Sequence, residues 1–313
     1  MKEIAIEVER LTKSFDEHVV VRDLTLQVPK GSIFGFLGPN GSGKTTTIRM
    51  LCGLLTPDSG TGTCLGHDIL TESDLIKRQV GYMTQRFSLY EDLSIRENLE
   101  FVSRVYGVPQ PRQAAKQAIE RLGLEGRAEQ LAGELSGGWK QRLALGTCIL
   151  PEPKLLLLDE PTAGVDPKAR RDFWDEIHHL AAEGITVLVS THYMDEAERC
   201  HEIGYIAYGH LLTHGSVDGV IEESGLSTWN VSGDDLAALS EKLTGLKGVD
   251  MVAQFGTSLH VSGRNRRELE KSISTLKRTD RKHHWDRSEP NLEDVFIHLM
   301  GEAQDNFATE DRQ

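Results

Sequence analysis

Long hydrophobic runs and a secretory leader are the first features that this sequence lacks. None of its 313 residues falls in a window that approaches the ~20 consecutive apolar residues that a membrane-spanning helix needs. The opening stretch, MKEIAIEVER, has no succession of basic, apolar and small residues of the kind that directs secretion. We therefore expect a cytoplasmic chain that reaches a membrane only through a partner.

Cysteine is scarce, and its spacing is uninformative for metal binding. Cys52, Cys64, Cys148 and Cys200 are dispersed and form no CxxC pair. This spacing argues against a disulfide framework and against a cysteine zinc site. Each cysteine is expected to be a small buried residue in a reducing compartment.

Basic residues are outnumbered by acidic ones. The chain has 35 Lys and Arg against 48 Asp and Glu, for a net charge of −13. A protein that coats nucleic acid neutralises phosphates with an excess of Lys and Arg. We therefore expect no nucleic-acid partner. The basic stretch at 277–287 is interpreted as a solvated strand edge, with a surface that faces acidic headgroups as the alternative.

What the sequence does have is a glycine-rich loop between an apolar strand and a helix. Residues 38–45, GPNGSGKT, fit the pattern GxxxxGK[ST]. Backbone N–H groups of such a phosphate loop bind phosphate oxygens at a close approach that glycine permits. Lys44 is expected to reach the β- and γ-phosphates, and the Thr45 hydroxyl to ligate Mg²⁺. The predicted nucleotide-binding residues of this loop are Gly38, Pro39, Asn40, Gly41, Ser42, Gly43, Lys44, Thr45 and Thr46.

Two acidic residues follow a run of four leucines. In LLLLDE, Asp159 ends a buried strand and Glu160 comes next. An aspartate there can hold Mg²⁺ beside Thr45, and a carboxylate directed at the γ-phosphate can orient the attacking water. Adjacent acids also occur at ordinary strand ends, but the phosphate loop upstream favours the catalytic interpretation.

Three further side chains are ambiguous when each is taken alone. His192 follows the apolar strand in VLVSTH and can donate to the γ-phosphate, because the carboxyl ends of parallel strands meet at the ligand crevice. Gln85 in GYMTQRF could contact both Mg²⁺ and the water, and Phe15 could stack on adenine. The alternatives are a hydrogen-bonded strand-end histidine, an exposed loop glutamine and a core phenylalanine.

Strands and helices alternate over the first two thirds of the chain, which predicts an α/β fold with a mostly parallel sheet. An antiparallel β patch comes first, and a helical subdomain is expected at about 90–152. We place this domain at 1–220. The following order, βαββαβ, predicts a small ferredoxin-like α+β module at 221–301 that ends in a helix. Residues 302–313 have no periodicity and are expected to form a disordered tail.

A second glycine-rich helix start, ELSGGWKQR at 134–142, is too far along the chain to belong to the phosphate loop. Alone it is also typical of an ordinary serine-capped helix. Together, however, these motifs resemble the nucleotide-binding domain of ABC transporters, and the resemblance covers residues 4–220 nearly continuously. It implies an ABC-type P-loop ATPase that uses ATP and Mg²⁺ and pairs head to tail with itself or a related ATPase.

In that family the second glycine-rich start caps the ATP that is bound to the phosphate loop of the other subunit. The resemblance therefore assigns Ser136, Gly137 and Gly138 to the γ-phosphate on the partner, through a hydroxyl, N–H groups and a positive helix end. It also places Asp166 in the AGVD turn that crosses the dimer. Trp139 stands where the family more often has Gln, which puts the contact with the partner's ribose in doubt.

The remaining roles follow from the same resemblance. Glu160 is the implied catalytic glutamate and His192 the switch histidine, with Lys44 acting beside them. Thr45, Gln85 and Asp159 are the implied Mg²⁺ ligands. Gln85 would also couple the nucleotide to the membrane partner, and Phe15 matches the aromatic residue that stacks on adenine.

The ending PNLEDVFIHL resembles that of ATPases that drive two-component exporters, and residues 81–107 resemble the bacterial multidrug-efflux branch. The implied function is ATP hydrolysis that powers export through separate integral-membrane permease subunits, from the inner face of the cell membrane. A soluble ABC ATPase acting on ribosomes or DNA is the first alternative, but such proteins usually carry tandem ATPase domains or a long coiled-coil insertion. An importer subunit is the second alternative, and many of those carry a barrel-like C-terminal domain.

Overall fold

The computed structural model describes residues 3–302, and the chain divides into two compact units, one ending at Leu211 and the other beginning at Leu212. The strands are β1 (Ile4–Phe15), β2 (His18–Pro29), β3 (Ile33–Leu37), β4 (Ser59–Cys64), β5 (His67–Asp68), β6 (Val80–Met83), β7 (Leu155–Asp159), β8 (Thr186–Thr191), β9 (Glu202–Ala207), β10 (His210–Gly215), β11 (Ser227–Gly233), β12 (Met251–Phe255), β13 (Ser258–Gly263) and β14 (His283–Ser288).

The helices include two short 3-10 turns, Glu125–Arg127 and Ala132–Glu134. The α-helices are α1 (Lys44–Leu51), α2 (Ser73–Lys77), α3 (Ile95–Val105), α4 (Pro111–Arg121), α5 (Gly137–Ile149), α6 (Pro167–Ala182), α7 (Met194–Ala197), α8 (Val217–Ser224), α9 (Leu236–Leu243), α10 (Arg266–Thr279) and α11 (Leu292–Glu302). Within residues 3–302, none of these helices combines the length and apolar character that a membrane span requires.

The first unit is built on two sheets. A six-stranded sheet has the order β10-β9-β3-β8-β7-β6, and β3, β8, β7 and β6 pair in parallel along it. A second sheet, β2-β1-β4-β5, is antiparallel. Every residue of β3, β7 and β8 is buried, as expected for parallel strands that are covered on both faces. Side chains from both sheets and from α1 form one hydrophobic core.

The helical subdomain consists of α3, α4, the two 3-10 turns and α5, in the region expected at about 90–152. Helix α3 begins with a capping box in which Ser94 Oγ accepts from the backbone N–H of Glu97 and the Glu97 carboxylate accepts from that of Ser94. Helix α4 begins at Pro111, whose missing N–H costs nothing in the first turn. These signals explain why two separate helices form here.

The second unit contains the predicted βαββαβ order, from β11 to β14 with α9 and α10 between. Its sheet order is β12-β13-β11-β14 with every pair antiparallel, which is the ferredoxin-like arrangement. The unit begins earlier than residue 220, because β10 runs across the division and α8 packs on α11 within the second unit. Of the predicted tail 302–313, only the backbone of Glu302 lies within the described residues.

The cysteines generate a prediction about the core. All four are free and buried, and burial raises the pKa of Cys52 to about 11 and that of Cys64 and Cys148 to about 12, with Cys200 raised as well. We expect the native chain to leave its thiols unreacted with Ellman's reagent at pH 8 and the chain in guanidinium to release four equivalents. Rapid stoichiometric reaction of the native chain would show that a thiol is accessible.

Candidate nucleotide-binding site

The carboxyl ends of four neighbouring parallel strands bring four groups of predicted site residues to one edge of the sheet. The phosphate loop follows β3, Asp159 ends β7, His192 follows β8, and Gln85 lies just beyond the end of β6. In open α/β sheets this edge forms the ligand crevice. Residues distant in sequence therefore meet at one place.

The phosphate loop has a conformation that requires glycine at several positions. Gly41 and Gly43 have φ of 80° and 103°, in the left-handed region that disfavours other residues. A Cβ on Gly43 would lie 2.7 Å from the carbonyl oxygen of Val20, and one on Gly38 would collide with that of Ile206. The loop thus packs closely against neighbouring backbone, so a side chain at position 38 or 43 would displace that backbone.

Lys44 is buried, with 5% of its surface exposed. Its Nζ donates to the carbonyl oxygens of Gly38 and Pro39, at 2.8 and 3.0 Å, and lies 3.4 Å from Glu160 Oε1. Burial lowers the pKa of the Lys44 ammonium, and the carboxylates of Glu160 and Asp159 oppose that shift. A cation is therefore held between the phosphate loop and the acidic residues that end β7.

Asp159 is held by hydroxyls from two directions. Thr45 Oγ1 donates to one carboxylate oxygen at 2.7 Å, and Ser190 Oγ donates to the other at 2.6 Å. Ser190 also accepts from the backbone N–H of Glu160, through both its carbonyl oxygen and its hydroxyl. Sequence reasoning missed Ser190, although it lies two residues before the singled-out His192.

The Glu160 carboxylate is the point at which the candidate catalytic groups meet. Gln85 Nε2 donates to its Oε2 at 3.1 Å, and His192 Nδ1 lies 3.4 Å from the same oxygen. The residue itself has φ of 47°, a left-handed conformation that costs a non-glycine residue of order 1–3 kcal/mol and that is common at functional sites. The backbone therefore turns Glu160 toward Lys44, Gln85 and His192 at a local conformational cost.

A cavity of about 200 Å³ opens beside these groups. Its lining includes residues 40–46 of the phosphate loop and helix α1, together with Gln85, Glu160 and Val20, which sequence reasoning did not single out. Phe15 is not among the lining residues. It lies at the end of β1 with 46% of its surface exposed and Lys13 Nζ 5.8 Å from its ring. Its stacking on adenine stays a prediction.

The second glycine-rich start, residues 136–138, is hereafter the signature segment. Ser136 is the N-cap of α5 and, like Gly137, is exposed, with no side-chain capping bond at that helix end. A Cβ on Gly138 would lie 2.6 Å from that of Ala169, so this glycine lets α5 approach the first turn of α6. The segment does not line the 200 Å³ cavity of this chain's own site.

Two neighbours of the signature segment have local roles that the sequence did not reveal. Asp166 caps α6, where its side chain accepts from the N–H groups of residues 168 and 169. Trp139 contacts two guanidinium groups, with Arg127 Cζ 4.8 Å and Arg142 Cζ 5.2 Å from the centre of its ring. Such cation–π contacts orient the tryptophan on the first turn of α5.

Comparison with known proteins identifies the family. The ABC transporter family profile matches residues 21–163. A Nod factor export ATP-binding protein I of Paraburkholderia xenovorans is 37% identical over 97% of this chain and 100% of its own length. The chain belongs to the ABC transporter family. Its first unit is an ABC ATPase domain with the predicted α/β architecture.

Other relatives match only part of this chain, and one of them is matched over less than half of its own length. The "Probable multidrug ABC transporter ATP-binding protein YbhF" of Escherichia coli K12 is 45% identical over 71% of this chain, which spans only 39% of that protein. A solved ATP-binding subunit of an ABC transporter has a TM-score of 0.64 and 28% identity, over 71% of this chain and 93% of its own. A dimeric ATP-binding cassette in a post-hydrolysis state, bound to ADP and Pi, has a TM-score of 0.62 and 26% identity, over 67% and 98%.

Ser190 provides a test of how Asp159 is held. Ser190→Ala leaves Asp159 with the Thr45 bond alone, and a lost buried hydrogen bond costs about 1–3 kcal/mol of folding free energy. Asp159 is a predicted Mg²⁺ ligand, and loss of a residue that orients a metal ligand typically lowers metal affinity roughly 10–100-fold. We therefore expect the Mg²⁺ concentration for half-maximal ATP hydrolysis to rise by that order. Magnesium titrations and thermal unfolding measure both effects. Ser274→Ala, at an exposed serine of α10, is the matched control, and an unchanged Mg²⁺ dependence in Ser190→Ala would refute the role.

Proposed function

We propose that this chain hydrolyses ATP and thereby drives export through a separate membrane-spanning permease. The observation that carries the proposal is the meeting of Lys44, Gln85 and His192 at the carboxylate of Glu160, beside a glycine-rich phosphate loop. The relatives named for multidrug transport and Nod factor export support export as the direction of transport. A hydrophobic or bulky substrate is the class that these names suggest.

Nucleotide binding is the role of the phosphate loop and Lys44. The loop presents backbone N–H groups at the start of α1, where the helix dipole favours an anion. Lys44 contributes a positive charge, and its ammonium group is positioned beside the loop by the carbonyl oxygens of Gly38 and Pro39 and by Glu160. These donors fit the β- and γ-phosphates of ATP.

The residues beside the loop fit Mg²⁺. Thr45 and Asp159 place a hydroxyl and a carboxylate in direct contact, and Gln85 adds an amide at the same edge, so the donors are the oxygen ligands that this ion prefers. When bound, Mg²⁺ supplies positive charge that neutralises the β- and γ-phosphate oxygens. Ser190 fixes the other oxygen of Asp159 and thereby orients the carboxylate.

Hydrolysis requires a water molecule in line with the bond that joins the γ-phosphorus to the leaving ADP oxygen. The Glu160 carboxylate, turned into the cavity, accepts a hydrogen bond from that water and polarises it for attack. Gln85 and His192 contact the same carboxylate oxygen and so limit its motion. His192 is also placed to donate to the γ-phosphate as charge develops there.

The site needs a second ATP-binding domain to close it. The signature segment is an exposed helix start with no side-chain capping bond, and helix N-termini bind anions through their first N–H groups. Because it does not line its own chain's cavity, we assign it to the ATP bound by another subunit. Two domains paired head to tail would complete two sites at once.

The permease contact is assigned to an exposed apolar patch of the helical subdomain. Tyr90, Phe101, Val105 and Tyr106 are each exposed by more than a third, and the rings of Tyr90 and Phe101 pack edge to face at 5.2 Å. Exposed apolar groups that cluster in this way mark interaction sites. A permease docked there would hold the chain at the inner, cytoplasmic face of the membrane.

Glu160→Gln tests the catalytic assignment. The amide keeps the shape but polarises water poorly, so we expect ATP hydrolysis to fall by at least ~10²-fold while ATP binding persists. Because ATP is then not consumed, the variant should elute as a dimer in ATP and as a monomer without it. Glu223→Gln, at an exposed glutamate of α8, should behave as the parent chain. Hydrolysis at the parent rate by Glu160→Gln would remove Glu160 from the mechanism.

Ser136→Arg tests the cross-subunit role. A bulky cation at the signature segment should block closure over the partner's nucleotide and abolish hydrolysis, since each site of a symmetric pair needs one such segment. Binding of a fluorescent ATP analogue to the single chain should remain, because Ser136 does not line its cavity. Ser274→Arg on α10 is the matched control. Loss of ATP binding by the monomeric Ser136→Arg chain would contradict this assignment.

A further inference from the structure

A carboxylate with no part in the mechanism above is completely buried near the site. Glu196 of α7 has 0% of its surface exposed. One oxygen accepts a hydrogen bond from Thr162 Oγ1 and the other accepts from Thr191 Oγ1, at 2.7 Å for the second. A buried charge is costly unless it is paired and hydrogen-bonded, so these contacts are strong constraints on all three residues.

The two threonines belong to the two segments that carry the candidate catalytic pair. Thr162 lies two residues after Glu160, and Thr191 lies directly before His192. Both threonines are 1% exposed, so water does not compete for these bonds. One carboxylate therefore ties the segment after β7 to the last residue of β8, with one oxygen for each.

An arginine of α6 also contacts the Glu196 carboxylate. Arg170 Nε lies 3.5 Å from Glu196 Oε1 and supplies the opposite charge. Its guanidinium carbon is 4.3 Å from the centre of the Tyr193 ring, and that ring is 4.1 Å from the imidazole of His192. The cation and the tyrosine thus support the imidazole on one side, while Glu196 fixes the backbone next to it through Thr191.

We propose that Glu196 is a positioning residue for ATP hydrolysis, which holds His192 against Glu160 by tying Thr191 to Thr162. The 3.4 Å separation between His192 Nδ1 and Glu160 Oε2 depends on this tie, because each partner lies one or two residues from an anchored threonine. The inference rests on the proposed roles of Glu160 and His192 and assigns a residue that those roles do not include.

Glu196→Gln is the first test, since it removes the charge but keeps the shape. We expect kcat to fall roughly 10–100-fold, the loss associated with a misplaced catalytic group, while the KM for ATP changes less than about threefold. Glu198→Gln, at an exposed glutamate on the same segment, should leave both constants unchanged. A parent-like kcat in Glu196→Gln, or a loss that appears in KM alone, would overturn the proposal.

The double variant with His192→Ala separates positioning from general damage. If Glu196 acts through His192, single-turnover hydrolysis of labelled ATP should be lowered by Glu196→Gln in the parent chain but hardly at all in the His192→Ala chain. Equal factors in both backgrounds would overturn the proposal. A parent rate in His192→Ala would instead overturn the role proposed for His192, so the two failures are distinguishable.

Two further measurements apply if Glu196→Gln unfolds or if ATP hydrolysis by the His192→Ala chain is too slow to measure. If thermal unfolding shows that Glu196→Gln is not folded, Thr191→Val removes one tie while keeping the Glu196–Arg170 charge pair, and takes its place in both tests. If the His192→Ala rate is below detection, the imidazole NMR signal assigned to His192 decides. We expect that signal to move in Glu196→Gln and not in Glu198→Gln, and a signal that does not move would refute the proposal.

Discussion

The Glu160 carboxylate is the contact on which the site depends. Lys44, Gln85 and His192 come from three different strand ends, and each lies within 3.4 Å of one of its oxygens. They can meet because β3, β8, β7 and β6 are neighbours that run in the same direction. The parallel sheet therefore does the positioning, and the left-handed conformation of Glu160 is the local cost of turning its side chain into the cavity.

The fold and the meeting of the first set of candidate residues at one sheet edge could be predicted from the sequence, because each motif combines a strand end with a particular side chain. The glycines and Lys44, the acids after the leucine run and His192 all have that context. The ferredoxin-like module was also predictable, since its order of short strands and helices is distinctive. Ser190, Glu196 and Arg170 carry no such signal, because their roles arise from pairing across strands and helices that single-sequence reasoning does not place.

The position of an aromatic residue and the end of a domain were harder to infer for a related reason. Phe15 was assigned a ligand or a core role, and the structure leaves it half exposed at a strand end. The unit boundary falls within β10, where the chain continues a sheet without a change of composition. Both features depend on which surfaces are buried by other parts of the fold. A local sequence pattern does not show which residues will bury a given surface.

In the proposed mechanism, each nucleotide site is completed by the signature segment of a second chain. Mixing two inactive variants tests it most directly: Lys44→Ala keeps its signature segment, and Ser136→Arg keeps its phosphate loop. If the segment acts across subunits, the mixed pair contains one intact site and ATP hydrolysis returns on mixing, in proportion to hybrid dimer formed. If the mixture forms hybrid dimers by native mass spectrometry and stays as inactive as either variant alone, the claim is contradicted.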